Sequence, residues 1–269
     1  MDEPVDLPGL ALSAARAGAA AIERVRAAGP LDPAVKSGTH DLVTAADRAA
    51  EAAVIDAIRA ARPDDPILGE EGGALPGTTD VLWLVDPLDG TANFVYGRAD
   101  HAVSVGIRVG GTPHAGAVVR PGHRQWIIGG PAGAVAGRDG DPGRPVSSLA
   151  ARSAELSAAL VAVGMPYDLA ARRRVLSFAA ELATQVRGIR VMGCAAGDLA
   201  AVALGECDAA VGFGLAEWDV AAGEAIVLAA GGHVRRSDSP LGLPVMVSGS
   251  PGLVEPLADL VDRAGSGSR

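Results

Sequence analysis

Hydrophobic and polar positions alternate in two distinct textures along this chain. Over residues 7–25 apolar residues recur at helical spacing in an alanine-rich stretch, and Gly29-Pro30 supplies a stop, so the pattern predicts a first helix. A second predicted helix spans about 44–61, with Val54, Ile55 and Ile58 on one face and Arg62-Pro63 ending it. After the turn Asp64-Asp65-Pro66 the apolar residues gather into short β-like runs at 81–85, 102–109, 115–119 and 125–129. Pairs such as Gly110-Gly111 and Pro121-Gly122 separate them. The polar, glycine- and proline-rich stretch 138–145 reads as a boundary, dividing the chain into parts of 1–140 and 141–269. Beyond it, strands predicted at 158–163, 189–192, 208–213 and 245–248 alternate with helices at 171–186, 195–204, 218–230 and 253–264. An antiparallel-sheet half followed by an α/β half is the expected organisation. There is no internal repeat, and the Gly-Ser-Gly-Ser-Arg tail is expected to fray.

Composition narrows the classes. The 269 residues carry 23 Lys+Arg against 32 Asp+Glu, a formal net charge of −9, and Lys36 is the single lysine. At about 150 residues per domain this is one large or two ordinary domains, long enough to bury a core. An acidic chain without a basic stretch argues against sequence-independent nucleic-acid binding, which needs clustered Lys and Arg. Taken alone, the charge should also repel phosphorylated metabolites. Cys194 and Cys207 cannot form a disulfide framework and read as reduced thiols. No apolar run reaches the roughly 18 to 20 residues of a membrane helix. The acidic start (Asp2, Glu3, Asp6) and the interruptions at Arg16, Glu23 and Arg24 do not suit a signal peptide. The expectation is a soluble cytoplasmic protein with no membrane and no nucleic-acid partner.

Candidate chemistry concentrates in the stretch from Trp83 to Phe94, Trp-Leu-Val-Asp86-Pro87-Leu88-Asp89-Gly90-Thr91-Ala-Asn-Phe. A β-run ends there in two carboxylates three positions apart, and carboxylates at a strand end can converge on a hard cation such as Mg²⁺ without His or Cys. Pro87 restricts the backbone so that the Leu88 carbonyl can turn inward as a third oxygen. The Gly90 and Thr91 amides would then open a helix and offer an anion site. An Asp-Pro turn followed by an Asp cap is the plain structural alternative. Three further segments carry acids. Asp41 and Asp47 flank a hydroxyl at Thr44 around a helix start, Glu70-Glu71 sit in a glycine-flanked loop, and Glu217-Trp218-Asp219 begin a helix. Capping, a solvated acidic loop and a favourable helix dipole are their structural readings.

Taken together, in this order and at these spacings, the chain resembles the inositol monophosphatase family of Mg²⁺-dependent, lithium-sensitive phosphatases. The resemblance runs from Lys36 through Gly231-Gly232, with Trp83–Phe94 and Trp218–Gly232 as its most specific stretches and Gly193-Cys194-Ala195-Ala196 in support. It implies an α+β layered sandwich of alternating α/β/α/β/α layers and two to three Mg²⁺ ions per site. One ion would be held by Glu70, Asp86 and the Leu88 carbonyl, a second by Asp86, Asp89 and Asp219, with a weaker third near Glu70. Two cations bridged by Asp86 match two-metal logic, one acidifying the attacking water and the other steadying the leaving oxygen. The resemblance makes Glu70, Thr91 and Asp47 the catalytic residues, with Asp47 accepting the Thr91 proton so that Thr91 and Glu70 orient water. It sets Asp89, Gly90, Thr91, Gly193, Ala195 and Asp219 against the substrate, and Lys36 at the family's conventional basic position. No covalent phosphoenzyme is implied, and a homodimer is the expected assembly.

Other phosphatase chemistries leave no trace, since neither cysteine has an arginine six residues on, and Gly212-Phe213-Gly214 is followed by Glu217 rather than a glycine. Three departures bear on the substrate. Gly212 stands where inositol-preferring relatives carry a glutamate that contacts a ring hydroxyl. Asp100 and His101 follow Phe94 as candidate substrate-facing groups, and Glu217 precedes Trp218. Arg172-Arg173-Arg174 reads as a solvated helix face, with a second anion contact as the alternative. The expected partner is a small phosphorylated polyol, inositol 1-phosphate first. Histidinol phosphate is the alternative, followed by a nucleoside 3′,5′-bisphosphate or fructose 1,6-bisphosphate. A non-enzymatic alternative is a binding partner of transcription or RNA-processing machinery.

Overall fold

The computed structural model describes residues 6–31, 33–35, 42–149 and 155–264; Lys36, Asp41 and the tail 265–269 lie outside them. Helix α1 (Leu7–Ala28) starts where Asp6 accepts from the Gly9 amide at 3.1 Å. A short pair, β1 (Ala34–Val35) with β2 (Leu42–Val43), leads into α2 (Ala45–Ala61). Both helices arise where the periodicity predicts them.

They cover one face of an eight-stranded sheet. Its strands are β3 (Ile67–Gly69), β4 (Gly73–Leu75), β5 (Val81–Asp89), β6 (Ala102–Val109), β7 (Thr112–Arg120), β8 (Gln125–Gly130), β9 (Gly133–Arg138) and β10 (Arg144–Pro145). They run in the order β10-β9-β8-β7-β6-β5-β3-β4, antiparallel except for β3 beside β5. The sequence pattern does not predict β3 and β4, because three-residue strands are too short to display a period. It also ends β5 too early. The strand continues to Asp89 through an irregularity between Asp86 and Asp89, where Pro87 has no N–H to give the ladder. Between β5 and β6 a single turn of helix, α3 (Thr91–Val95), follows Gly90.

The second sheet contains β11 (Leu160–Val163), β12 (Gly188–Arg190), β13 (Ala209–Phe213), β14 (His233–Ser239) and β15 (Leu243–Gly249), ordered β12-β11-β13-β15-β14. Strand β11 is parallel to β12 and β13, whereas β15 is antiparallel to β13 and β14. Strand β14, His-Val-Arg-Arg-Ser-Asp-Ser, is a polar edge with almost no buried residue, which is why no apolar run announces it. The associated helices are α4 (Leu169–Leu182), α5 (Ala195–Leu204), α6 (Glu217–Ala229) and α7 (Pro251–Arg263).

Three apolar clusters glue the layers together. The first joins α1 and α2 to the large sheet through residues such as Ile22, Val54, Trp83 and Val105. The second joins that sheet to α5 and α6 and onward to β13 and β15, through Val118, Ile127, Leu199, Ile226 and Met246. The third buries α4 and α7 on the far face of the small sheet, with Phe178, Phe213 and Leu257 at its centre. The result is the alternating α/β/α/β/α sandwich that the resemblance implies. Helix α6 approaches the large sheet closely because glycine lies beneath it. A Cβ on Gly116 would come within 2.5 Å of the Ala222 backbone, and one on Gly106 within 2.6 Å of Ala221. That approach brings the start of α6, with Asp219, to the C-terminal end of β5.

Candidate active site

Strand β5 ends with Asp86, Leu88 and Asp89, and the chain then turns through Gly90 at a positive φ of 83°. A Cβ on Gly90 would meet the Asp100 carbonyl oxygen at 2.8 Å, so glycine is required both for the turn and for the close approach. The turn delivers Thr91 to the start of α3. Its Oγ1 lies 2.9 Å from Asp47 Oδ1 and 2.9 Å from the Leu88 carbonyl. One hydroxyl hydrogen serves one of these acceptors at a time.

Asp47 is presented by the N-terminus of α2. Thr44 caps that helix, with its side chain accepting from the Ala46 amide at 3.0 Å. The Thr44 amide and hydroxyl both donate to Asp47 Oδ2 at 2.7 Å. Burial pushes the Asp47 carboxyl up, and the hydrogen bonds from Thr44 and Thr91 pull against it. The helix-cap reading and the pairing with Thr91 are geometrically compatible, because Oδ2 serves the cap and Oδ1 serves Thr91.

Four acids surround this pair. Asp86 is 2% exposed, and its Oδ1 accepts from the Leu88 amide at 3.1 Å. Burial drives its carboxyl far above the usual range, and the charges of Glu70, Asp89 and Asp219 push further in the same direction. Asp89 is raised to about 6, chiefly by burial, although Ala196 N–H at 2.5 Å and Cys194 Sγ–H at 3.2 Å both donate to its Oδ2. Glu70 follows β3, where its amide donates to the Val85 carbonyl at 3.1 Å. Asp219 accepts from the Ala216 amide at 2.7 Å as α6 begins. The Cys194 thiol is pushed well up, first by burial and then by Asp89, which makes it an inert donor rather than a nucleophile.

These groups share one cleft of about 240 Å³. Glu70, Asp86, Leu88, Asp89, Gly90, Thr91, Gly193, Ala195 and Asp219 all line it, and Asp47 stands behind Thr91. The structure thus brings together the proposed metal-ligating, catalytic and substrate-binding residues, while Lys36 lies outside the described residues. Among the described residues no three Asp, Glu, His or Cys side chains are already gathered into a cation cage. The donor chemistry nevertheless fits a hard divalent cation, because the buried acids repel one another and the Leu88 carbonyl adds a further oxygen to theirs.

The opposite wall was not legible beforehand. Met165, Tyr167, Arg172 and Leu215 line the cleft there. The sequence offers a solvated face or an anion contact for the arginine triplet; Arg172 Nε donates to the Pro166 carbonyl at 2.9 Å and the residue lines the cleft, whereas Arg174 turns away to the Leu241 carbonyl at 2.8 Å. Asp198, inside the otherwise apolar α5, is 4% exposed and also lines the cleft. Burial raises its carboxyl well above the ordinary range, with Asp89 adding to the shift. A lone acid in the middle of an apolar helix was the available signal. At Gly212 a Cβ would sit 2.3 Å from Leu215 Cδ1, so Leu215 covers the place a longer side chain would need.

Asp100 and His101 do not line this cleft. The Asn93 amide donates to the Asp100 carbonyl at 2.7 Å and to the Met192 carbonyl at 2.7 Å, fastening the loop, and the Asp100 side chain pairs with Arg98 and His123. His101 is buried edge-on against Phe94, so it does not take the substrate-facing place that the sequence suggests for it. Glu217 is engaged by Arg108 at 2.6 Å and Arg236 at 2.7 Å.

Comparison with known proteins gives the family and the fold. A profile of the inositol monophosphatase family matches residues 6–256. Inositol-1-monophosphatase SuhB of Mycobacterium tuberculosis is 37% identical over 278 aligned residues, covering 97% of this chain and 95% of that protein. Nus factor SuhB of Escherichia coli K12 is 35% identical over 220 residues, covering 81% of this chain and 79% of that one. The solved structure of Mycobacterium tuberculosis SuhB superposes with a TM-score of 0.81 at 35% identity, over 98% of this chain and 99% of that chain.

Proposed function

The chain belongs to the inositol monophosphatase family, and on that premise we propose that it is a Mg²⁺-dependent hydrolase of phosphate monoesters of small polyols, with inositol 1-phosphate as its leading substrate. The observation that carries the proposal is the Thr91–Asp47 hydrogen bond, 2.9 Å long, standing beside four mutually repelling acids in one cleft. Glu70, Asp86 and the Leu88 carbonyl would hold one Mg²⁺, Asp86, Asp89 and Asp219 a second, and the neighbourhood of Glu70 a third. When bound, the cations supply charge neutralisation for the phosphate and a more acidic water.

The chain's own residues account for the rest. Asp47 Oδ2 is tied by two donors from Thr44, which leaves Oδ1 to accept the Thr91 hydrogen. The Thr91 oxygen is then free to accept from a water, and Glu70 is the second acceptor that fixes its orientation. The Gly90 and Thr91 amides carry the phosphate, while Gly193 and Ala195 form the neighbouring wall. Positioning and charge neutralisation suffice for phosphoryl transfer, without a covalent phosphoenzyme.

Leu215 over Gly212 removes the position from which the family's glutamate would meet a ring hydroxyl, and Arg172 adds a cation at the lip. Histidinol phosphate, fructose 1,6-bisphosphate and a nucleoside 3′,5′-bisphosphate therefore belong in the same assay. Phosphate release from each is measured with Mg²⁺ and again with EDTA. Release from inositol 1-phosphate that EDTA abolishes is expected; fast release from histidinol phosphate with none from inositol 1-phosphate would replace the substrate.

A second reading rests on the relative named Nus factor SuhB, namely that the fold serves transcription as a binding partner. A cellular phenotype that survives Asp86→Asn would favour it. We place the protein in the cytoplasm as a homodimer. Among the described residues no helix is long and apolar enough to cross a membrane.

A further inference from the structure

Glu51 lies inside α2, one helical turn after Asp47, and is 6% exposed. An acid is seldom buried so deeply without a partner. Its Oε1 accepts from the Glu71 amide at 3.0 Å, a contact across 20 residues of sequence. Glu51 does not line the acid cleft. It holds instead the turn that carries Glu70 into that cleft.

Strands β3 and β4 pair Gly69 with Gly73, which leaves Glu70, Glu71 and Gly72 to reverse the chain. The Glu70 amide donates to the Val85 carbonyl at 3.1 Å and ties the turn to β5, and Glu51 ties it at the next residue. Two glycines make room for the Glu51 carboxyl. A Cβ on Gly69 would stand 2.2 Å from Oε1, and one on Gly72 would stand 3.0 Å from Oε2. Neither glycine has a positive φ, so the approach of this carboxyl, not the backbone conformation, is what a side chain there would disturb.

Helix α2 therefore serves two sides of the cleft. Asp47 Oδ1 meets the Thr91 hydroxyl at 2.9 Å, and Glu51, about 6 Å further along the helix axis, meets the Glu70 turn. We propose that Glu51 is a positioning residue for Glu70: its carboxyl clamps the turn so that one rigid turn of α2 sets Glu70 against Thr91. Glu51 acts through Glu70 and touches neither cation nor substrate. The inference rests on the reading of Glu70 as a cation ligand and water-orienting group.

The test compares Glu51→Ala, Glu51→Gln and Gly69→Ala with the wild type. Gly69→Ala keeps Glu51 but crowds its carboxyl, and so guards against a folding defect peculiar to the first variant. In metal-free protein, exchange of the Glu71 amide followed by NMR should quicken about tenfold or more in Glu51→Ala and Gly69→Ala. It should stay near the wild-type rate in Glu51→Gln, whose amide oxygen still accepts. Calorimetric titration with Mg²⁺ alone should show affinity about 10- to 100-fold weaker in the two alanine variants, the scale of removing the support behind a ligand. Their kcat per folded molecule should fall by a similar factor, with KM for inositol 1-phosphate within about twofold. In a Glu70→Ala background, Glu51→Ala should cost no further Mg²⁺ affinity, because its effect passes through Glu70. Unchanged Glu71 exchange in Glu51→Ala, equal losses in Glu51→Gln and Glu51→Ala, or losses that add to those of Glu70→Ala would each overturn the proposal. Amide exchange needs neither metal nor substrate, so it is separate from the phosphatase reading. That reading falls instead if the wild type neither binds Mg²⁺ nor releases phosphate with it.

Discussion

Asp65, in the turn before β3, and Asp86, near the end of β5, are buried to nearly the same degree, 1% and 2% exposed, yet their carboxyls are driven in opposite directions. Asp65 accepts from Arg62 at 2.8 and 2.9 Å, from Thr79 at 2.6 Å and from the Trp83 indole at 2.8 Å. Burial works to raise it, but these partners together hold it below the ordinary range. Asp86 has burial plus three neighbouring acids, and everything raises it. Burial of an acid therefore says little about function; the sign of what surrounds it says much more. Asp65 ties the turn before β3 to β5 and stabilises the fold. Asp86 is a cost to the fold that a bound cation would offset.

The largest effect that could break this contrast is at Asp86. Asp86→Asn should lower turnover about 10³-fold or more, the scale of several kcal/mol of lost charge stabilisation. Its melting temperature in EDTA should hold or rise, because a repelled charge has gone. Substantial activity, or a marked drop in that melting temperature, would place Asp86 in the same category as Asp65. Asp65→Ala should do the reverse. It strands the Trp83 N–H and the Arg62 charge and should cost about 3 kcal/mol in urea unfolding, while kcat per folded molecule stays within about twofold.

Thr91→Ala sharpens the functional side. It should lower kcat about 100-fold with little change in KM, and Thr91→Ser should restore most of the loss; a pure KM effect would remove Thr91 from water positioning.

The smallest effect is a pH trend whose sign differs between the two environments. Burial raises Asp89 to about 6 in the folded chain, against 3.8 for an ordinary aspartate. The stability that its protonated form contributes is fully present below about 3.8 and is lost as pH rises through about 6. Asp65 is lowered, so its contribution is present above 3.8 and disappears as pH falls through its folded value. In EDTA, the melting temperature of the wild type minus that of Asp89→Asn should decline between pH 4 and 7. The corresponding difference for Asp65→Asn should decline on acidification below pH 4. Parallel trends would show that the two aspartates are not opposed.

Much of the fold was legible because long amphipathic helices and apolar strands record their dry face in their own period. Helices α1, α2 and α7 are examples. Strands β3, β4 and β14 were not, being either three residues long or polar throughout. The acids of the cleft were legible as spaced motifs. Asp198 and Arg172 were not, because an acid within an apolar helix and an arginine in a basic triplet look alike whether they face a cleft or a solvent shell. The net charge of −9 points away from phosphate, yet on the proposed reading cations in the cleft would turn its acids into a site for phosphate.

The sequence by itself determined the helical and extended segments, the turn at Pro87 and Gly90, and the identity of the acids that can ligate a hard cation. Only the tertiary structure decided that Asp47 reaches Thr91 across 44 residues, that Leu215 covers Gly212, and that His101 is buried beside Arg26 rather than facing substrate. The reason is physical. Periodicity and turn chemistry are local properties of a chain, whereas the partner of a buried polar group is set by which elements pack together. That packing is written in the combined shape of several apolar faces, none of which specifies it alone.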